Sequence, residues 1–278
     1  MKILITGANG MLAQDLAQIL ETYGHIVIRK THQELDITDK KSITKNFEQE
    51  NPDFVIQCAA YTKVDNAEKD FKTAKKINTT GTENIAKICA KTNCTLIYIS
   101  TDYVFDGEKF SPYITTDTPN PINNYGLTKL EGENAIKNNC KKYYIIRTSW
   151  LYGKFGKNFV DTMLSLGEKQ LKGELPEIKV VNDQIGCPTW AKDLSEGIVK
   201  IITNNPTYGI YHICGNGKAS WYEFAKEIFK IKEMEVKLTP CTSEDFSTPA
   251  KRPHYSVMSP SFPTRPWQEG LRDYLKEG

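Results

Sequence analysis

The sequence predicts a doubly wound α/β protein: a parallel, Rossmann-like sheet with helices on both faces and a smaller mixed α/β cap after it. Three observations carry this. Short apolar runs alternate with helix-spaced patterns over the first 150 residues. A Gly-x-x-Gly-x-x-Ala turn, Gly7 to Ala13, joins the first run to the first helical pattern. Polar clusters follow the apolar runs where strands at the carboxyl edge of such a sheet would end.

Element by element, Lys2 to Thr6 is an apolar run, and Met11 to Tyr23 has helical spacing through Leu12, Leu16, Ile19 and Leu20. Strands are expected at His25 to Arg29, Asp53 to Gln57, Thr95 to Ser100 and Tyr143 to Arg147. Helices are expected at Ser42 to Glu50, Phe71 to Ala90 and Tyr125 to Lys137. Alternating strands and helices joined by right-handed crossovers give a parallel sheet. After Trp150 the pattern loosens, with helices near 158–170, 190–203 and 220–231 and short strands at 178–181 and 209–213. Six prolines lie between Pro240 and Pro266. The expected division is a dinucleotide-binding domain over 1–150, with a contribution from about 177–205, and a substrate-binding region over 151–278. Trp221, Phe224, Phe229 and Trp267 supply the cap's apolar bulk.

The bulk numbers fit a soluble globular protein of 278 residues, with 39% hydrophobic and 25% charged residues. A net charge of +2 makes no electrostatic case for nucleic acid or a membrane surface. No run approaches the roughly 18 apolar residues of a transmembrane helix, and Met1 to Ile5 is too short for a signal peptide before Gly7 interrupts it. The seven cysteines are scattered without a C-x-x-C pair, which reads as reduced thiols in a cytoplasmic protein. The four histidines have no metal-ligand spacing.

Two motifs carry chemistry. In the first, Gly7, Asn9, Gly10, Met11 and Leu12 lie between a strand and a helix at the N-terminus. Glycine permits close backbone approach, and the helix start offers N–H groups and a positive dipole end to a pyrophosphate. Arg29 and Lys30 stand where an acid would bind a ribose hydroxyl. They suit a 2′-phosphate, so NADPH is preferred, with NADH open and a solvated charge pair as the plain alternative. In the second, Tyr125 and Lys129 form Y-x-x-x-K, which puts phenol and ammonium on one helix face. A nearby cation is expected to lower the phenol's pKa and fit it for proton transfer. Thr101, at the end of Ser100-Thr101-Asp102-Tyr103, can bond the same substrate oxygen, and Asp102 and Tyr103 are placed to reach the substrate.

With these residues the chain resembles the extended short-chain dehydrogenase/reductase superfamily, and within it the dTDP-4-dehydrorhamnose reductase family. The matching segments run in order across nearly the whole chain: GANGMLA (7–13), LDIT (35–38), CAAYTKVDNAE (58–68), INTTGTENIA (77–86), STDYVFDG (100–107), YGLTKLEGE (125–133), RTSWLYG (147–153), NDQIGCPT (182–189) and TPAKRPHYSVM (248–258). The resemblance implies hydride transfer from NAD(P)H to the C4 ketone of dTDP-6-deoxy-L-lyxo-4-hexulose, with Tyr125 as proton donor. It implies Lys129 on the nicotinamide ribose and Thr101 on the ketone oxygen. It places Asp36 and Ile37 near the adenine, Ala59, Ala60, Tyr61 and Thr62 on the cofactor, and Asp102 and Trp150 on the sugar. Pro188, Thr189 and Arg252 fall in segments near the nucleotide end.

Some family members hold magnesium at a dimer interface. The matching positions here are Asp15, Lys192 and Asp193, and with a lysine among them no metal is expected. The expected partner is a nucleotide sugar, and the expected assembly a monomer or homodimer. Two alternatives stand beside this reading. One is a reductase or epimerase for a related nucleotide-linked 4-keto sugar, and the other is a non-catalytic NADP-binding regulatory subunit.

Overall fold

The computed structural model describes residues 1–246 and 248–277. Six strands form one parallel sheet: β1 (Lys2–Thr6), β2 (Ile26–Lys30), β3 (Phe54–Gln57), β4 (Thr95–Thr101), β5 (Tyr143–Thr148) and β6 (Gly209–His212). Their spatial order is β2-β1-β3-β4-β5-β6, and each neighbouring pair is parallel. After β1 the chain adds β2 on one side, then crosses to build β3 and the rest on the other. At that reversal the strand ends cannot be covered by a connection, which leaves a crevice at the carboxyl edge.

Both faces of the sheet are covered, which is why its strands read as apolar runs and not as alternations. Successive residues still point to opposite sides. Ile3 and Ile5 meet Leu12, Leu16 and Leu20 of the Met11–Thr22 helix, with Leu194, Ile198 and Ile202 of the Ala191–Asn204 helix in the same layer. Leu4 faces the other way. It packs with Ile43 and Phe47 of the Lys40–Glu50 helix, Ile85 and Cys89 of Thr82–Thr92, and Ile136 of Asn124–Asn139. Truncating a fully buried member such as Leu16 to alanine costs about 2–5 kcal/mol.

The cap has its own core. The Phe159–Leu171, Trp221–Ile231 and Trp267–Glu277 helices enclose a parallel pair, Ile178–Val181 with Leu238–Cys241. Val160, Phe224, Ile228 and Leu271 fill the space between them. No helix among the described residues is long and apolar enough to cross a membrane.

Three elements differ from the sequence pattern. The strand expected near 209–213 belongs to the main sheet, not the cap. The apolar stripe of Ala191–Asn204 packs on Met11–Thr22 and delivers the following strand to the open edge of β5. The single long helix expected over 71–90 is interrupted by a π-helical turn, Lys76–Gly81. The Trp267–Glu277 helix begins directly after Pro266, where proline lies ahead of the first turn and breaks nothing.

Candidate active site

The carboxyl ends of β1, β3, β4 and β5 open into a cavity of about 720 Å³. From the first turn, Gly7, Asn9, Gly10, Met11 and Leu12 line it. Ala59, Ala60 and Thr62 enter after β3, Thr101, Asp102 and Tyr103 at the end of β4, and Trp150 after β5. The Asn124–Asn139 helix adds Tyr125 and Lys129. Most of the expected site residues therefore share one space.

The others lie outside its wall. Arg29 donates to Glu21 at 2.7 Å on the surface. Asp36 accepts the Thr38 N–H at 2.8 Å, and Ile37 is buried against Gly81. The Tyr61 N–H donates to Asn78 Oδ1 at 2.8 Å. Arg252 donates to Asp65 at 2.8 Å and lies close enough to Tyr103 to influence its titration. Thr189 is buried, its hydroxyl on the Cys187 carbonyl at 3.1 Å.

In the cavity wall the backbone of the first turn forms an anion cradle. Gly7 has φ +66°, and a Cβ there would stand 2.8 Å from the Ala59 backbone, so both conformation and space demand glycine. Gly10 caps the Met11–Thr22 helix without a side chain, so the first N–H groups have no side-chain acceptor. An orphan helix start with its dipole directed into a cavity fits a dinucleotide pyrophosphate.

The same cavity holds the groups that can move protons. Tyr125 stands edge-on to Tyr103, ring centroids 5.8 Å apart. Burial pushes its phenol above the ordinary range, the Asp102 charge adds to this, and the Thr101 hydroxyl pulls back. That corrects the expectation of a phenol lowered by Lys129. The Lys129 Nζ is turned toward β4, donating to the Ile99 carbonyl at 2.6 Å and lying 4.1 Å from the Tyr98 ring centroid. Burial lowers Lys129 to about 7, against the raising effect of Glu133. Burial likewise raises Asp102 to about 6, although Ser256 donates to it at 2.6 Å and Thr101 at 3.1 Å.

Several supporting residues carry no site role in the sequence reading, although Asn78 lies in a matching segment and Trp221 stands there as cap bulk. Asn78, in the π-helical turn, binds the Tyr61 backbone through both ends of its amide and donates to Thr128 Oγ1 at 3.0 Å. It thereby ties the Ala60–Thr62 loop to the helix that carries Lys129, and a π-turn at a site is a recurrent signal of this kind. Trp221 lines the cavity from the cap and stacks on Trp150 with centroids 3.5 Å apart and planes 4° from parallel. Trp150 holds φ +47°, a strained conformation for a bulky residue. Two members of the NDQIGCPT segment support this stack. A Cβ on Gly186 would fall 2.5 Å from the Trp150 ring, and Gln184 accepts the Trp221 indole N–H at 3.2 Å.

Of the three positions matching a family metal site, Asp15 keeps one buried carboxylate oxygen without a partner, and the other two are already paired. Lys192 donates to Glu277 at 2.6 Å, and Arg265 grips Asp193 through Nε at 3.0 Å and Nη2 at 2.7 Å. These are ion pairs that already have organic counter-ions.

A family model described as RmlD substrate binding domain matches residues 1–278. The spore coat polysaccharide biosynthesis protein SpsK of Bacillus subtilis is 40% identical, over 99% of this chain and 97% of that protein. A dTDP-4-dehydrorhamnose reductase of Mycolicibacterium smegmatis is 38% identical, over 98% of this chain and 84% of its own. Among solved structures, the dTDP-4-dehydrorhamnose reductase from Bacillus anthracis in complex with NADP matches with a TM-score of 0.95 and 42% identity, covering 100% of this chain and 99% of that one. A whole-chain match of sequence and fold, on a cavity holding Thr101, Tyr125 and Lys129, places this chain in the dTDP-4-dehydrorhamnose reductase family, the family of the RmlD substrate binding domain.

Proposed function

We propose that this protein reduces the C4 ketone of dTDP-6-deoxy-L-lyxo-4-hexulose to give dTDP-L-rhamnose, with NADPH as reductant and NADH as the alternative. The observation that carries the reading is one cavity lined both by the Gly7–Leu12 turn, a pyrophosphate cradle, and by Thr101, Tyr125 and Lys129. A bound reduced nicotinamide supplies the hydride that forms the new C4–H bond.

The chain's own residues do the rest. The open N–H groups after Gly10 hold the diphosphate of the dinucleotide. Lys129 donates to its ribose and orients it. Tyr125 holds its proton at neutral pH, because burial keeps the phenol neutral, and releases it to the ketone oxygen as charge develops there. Thr101 donates to the same oxygen. The Trp150–Trp221 stack covers the sugar from the cap side and excludes water. Arg29 and Glu21 form an exposed pair, 42% and 47% accessible. Such pairs contribute only about 0–1 kcal/mol, so Arg29 is free to turn to a 2′-phosphate. The NADP of the Bacillus anthracis structure supports that choice. The seven free thiols favour a cytoplasmic setting, and the protein works there as a monomer or homodimer.

The test is a coupled assay. The 4-keto-hexulose nucleotide is generated enzymatically from dTDP-glucose, and NADPH oxidation and the product sugar are followed for wild type and Tyr125→Phe. Turnover to dTDP-L-rhamnose that falls about 10²–10⁴-fold in the variant is expected. Cofactor binding without oxidation would move the weight to another 4-keto sugar or to a regulatory subunit.

A further inference from the structure

Beneath the cavity floor lies a charged cluster that the proposed reaction does not use. Glu133 follows Lys129 by one turn on the same helix, so Tyr125, Lys129 and Glu133 fall at i, i+4 and i+8 on one face. The Glu133 side chain is fully buried. Arg147 of β5 donates to it through Nε at 2.9 Å and Nη2 at 2.6 Å, and Ser100 of β4 donates through Oγ at 2.6 Å. The last three residues of β4 thus each meet this helix. Ile99 accepts from Lys129, Ser100 donates to Glu133, and Thr101 lies against Tyr125.

Two buried cations, Lys129 and Arg147, share this region. An ammonium removed from water keeps its proton only where an anion or a set of acceptors compensates. The groups around Lys129 come from five elements. Tyr125 and Glu133 lie on its own helix, Cys58 follows β3, and Tyr98 belongs to β4. Arg147 of β5 and His212 of β6 stand beyond Glu133. Burial keeps the Cys58 thiol neutral, its pKa raised to about 12, and keeps His212 neutral, lowered to about 4. Glu133 is the carboxylate of the set.

We propose that Glu133 is a positioning residue for the reduction: its buried carboxylate keeps Lys129 an ammonium and locks the end of β4 in register with the helix that carries Tyr125. The inference rests on the roles proposed above for Lys129 and Tyr125. Glu133 touches neither substrate nor cofactor and acts through its neighbours.

Glu133→Gln keeps the shape and removes the charge. The pH dependence of NADPH binding, read by nicotinamide fluorescence, and of kcat/KM are measured side by side. The upper-pH limb of both profiles is expected to move to lower pH by about one unit or more. Glu133→Asp retains the charge, so it is expected to keep the limb at its wild-type pH while kcat falls. If the glutamine variant does not fold, Ser100→Ala tests the register lock instead: it removes the Ser100 bond to Glu133 and is expected to lower kcat several-fold with the limb in place, and an unchanged kcat overturns the proposal. A limb that stays at the wild-type pH in the folded glutamine variant overturns the proposal and leaves Glu133 a structural residue. Wild type that binds NADPH without reducing the keto sugar overturns the proposed reaction, and the binding limb then decides Glu133 alone.

Discussion

The floor of the cavity is made of strand ends and backbone, whereas its roof is made of aromatic rings borne by the cap. On the floor, Gly7, Ala59 and Thr101 are fixed by the register of β1, β3 and β4, which places Thr6 beside Gln57 and Thr101 beside Thr148. Moving any of them means moving a strand of a sheet covered on both faces. The roof is two stacked indoles, one strained and one at the start of a helix, kept in place by Gly186 and Gln184. The difference assigns labour. In the proposed reaction the floor would serve the chemistry and the dinucleotide, and the roof would select the sugar.

Substitutions separate the two. The largest effect is expected at Gly7→Ala, which forces an unfavourable φ and drives a Cβ into the Ala59 backbone. It should cost about 3 kcal/mol of stability and abolish NADPH binding, as read by thermal melting and fluorescence titration.

Next comes Asp102→Asn. The folded pKa of Asp102, about 6, lies above its ordinary 3.8, so the fold resists the charged form. The penalty is absent below pH 4, grows between pH 4 and 6, and is complete above 6. The variant should therefore be more stable than wild type at pH 8, by something on the order of 2 kcal/mol, and gain nothing at pH 3, while turnover falls. Melting curves across that range check the sign.

The smallest effect is expected in the roof. Trp221→Ala should raise the KM for the sugar nucleotide about tenfold and leave NADPH affinity unchanged. If the variant weakened NADPH instead, the division between floor and roof would fail.

The same division explains what the sequence made legible. Gly7, Gly10, Tyr125 and Lys129 act through spacings of three or four residues inside one turn or helix, and such spacings are visible in a chain. Thr101 was visible because it ends an apolar run. The supports are not local. Asn78 reaches Tyr61 across 17 residues and Thr128 across 50, and Trp221 stacks on a ring 71 positions earlier in the chain. The titration of Tyr125 is not legible in the helix pattern for a related reason. A helix face shows its neighbour Lys129, but the groups around the phenol, Thr101, Asp102 and Tyr103, come from the end of β4. The strand at 209–212 was recognised as a strand, yet its place beside β5 depends on how the Ala191–Asn204 helix packs.

In the proposed reaction a hydride reaches the sugar's C4 while Tyr125 supplies the proton. It is tested most directly by turnover with NADPH deuterated at the transferred position of nicotinamide C4, followed by mass spectrometry of the product sugar. One deuterium at C4 of dTDP-L-rhamnose is expected with wild type, and almost no product with Tyr125→Phe, although that variant still binds NADPH. Deuterium transfer at the wild-type rate in Tyr125→Phe, or product formed without deuterium at C4, would contradict it.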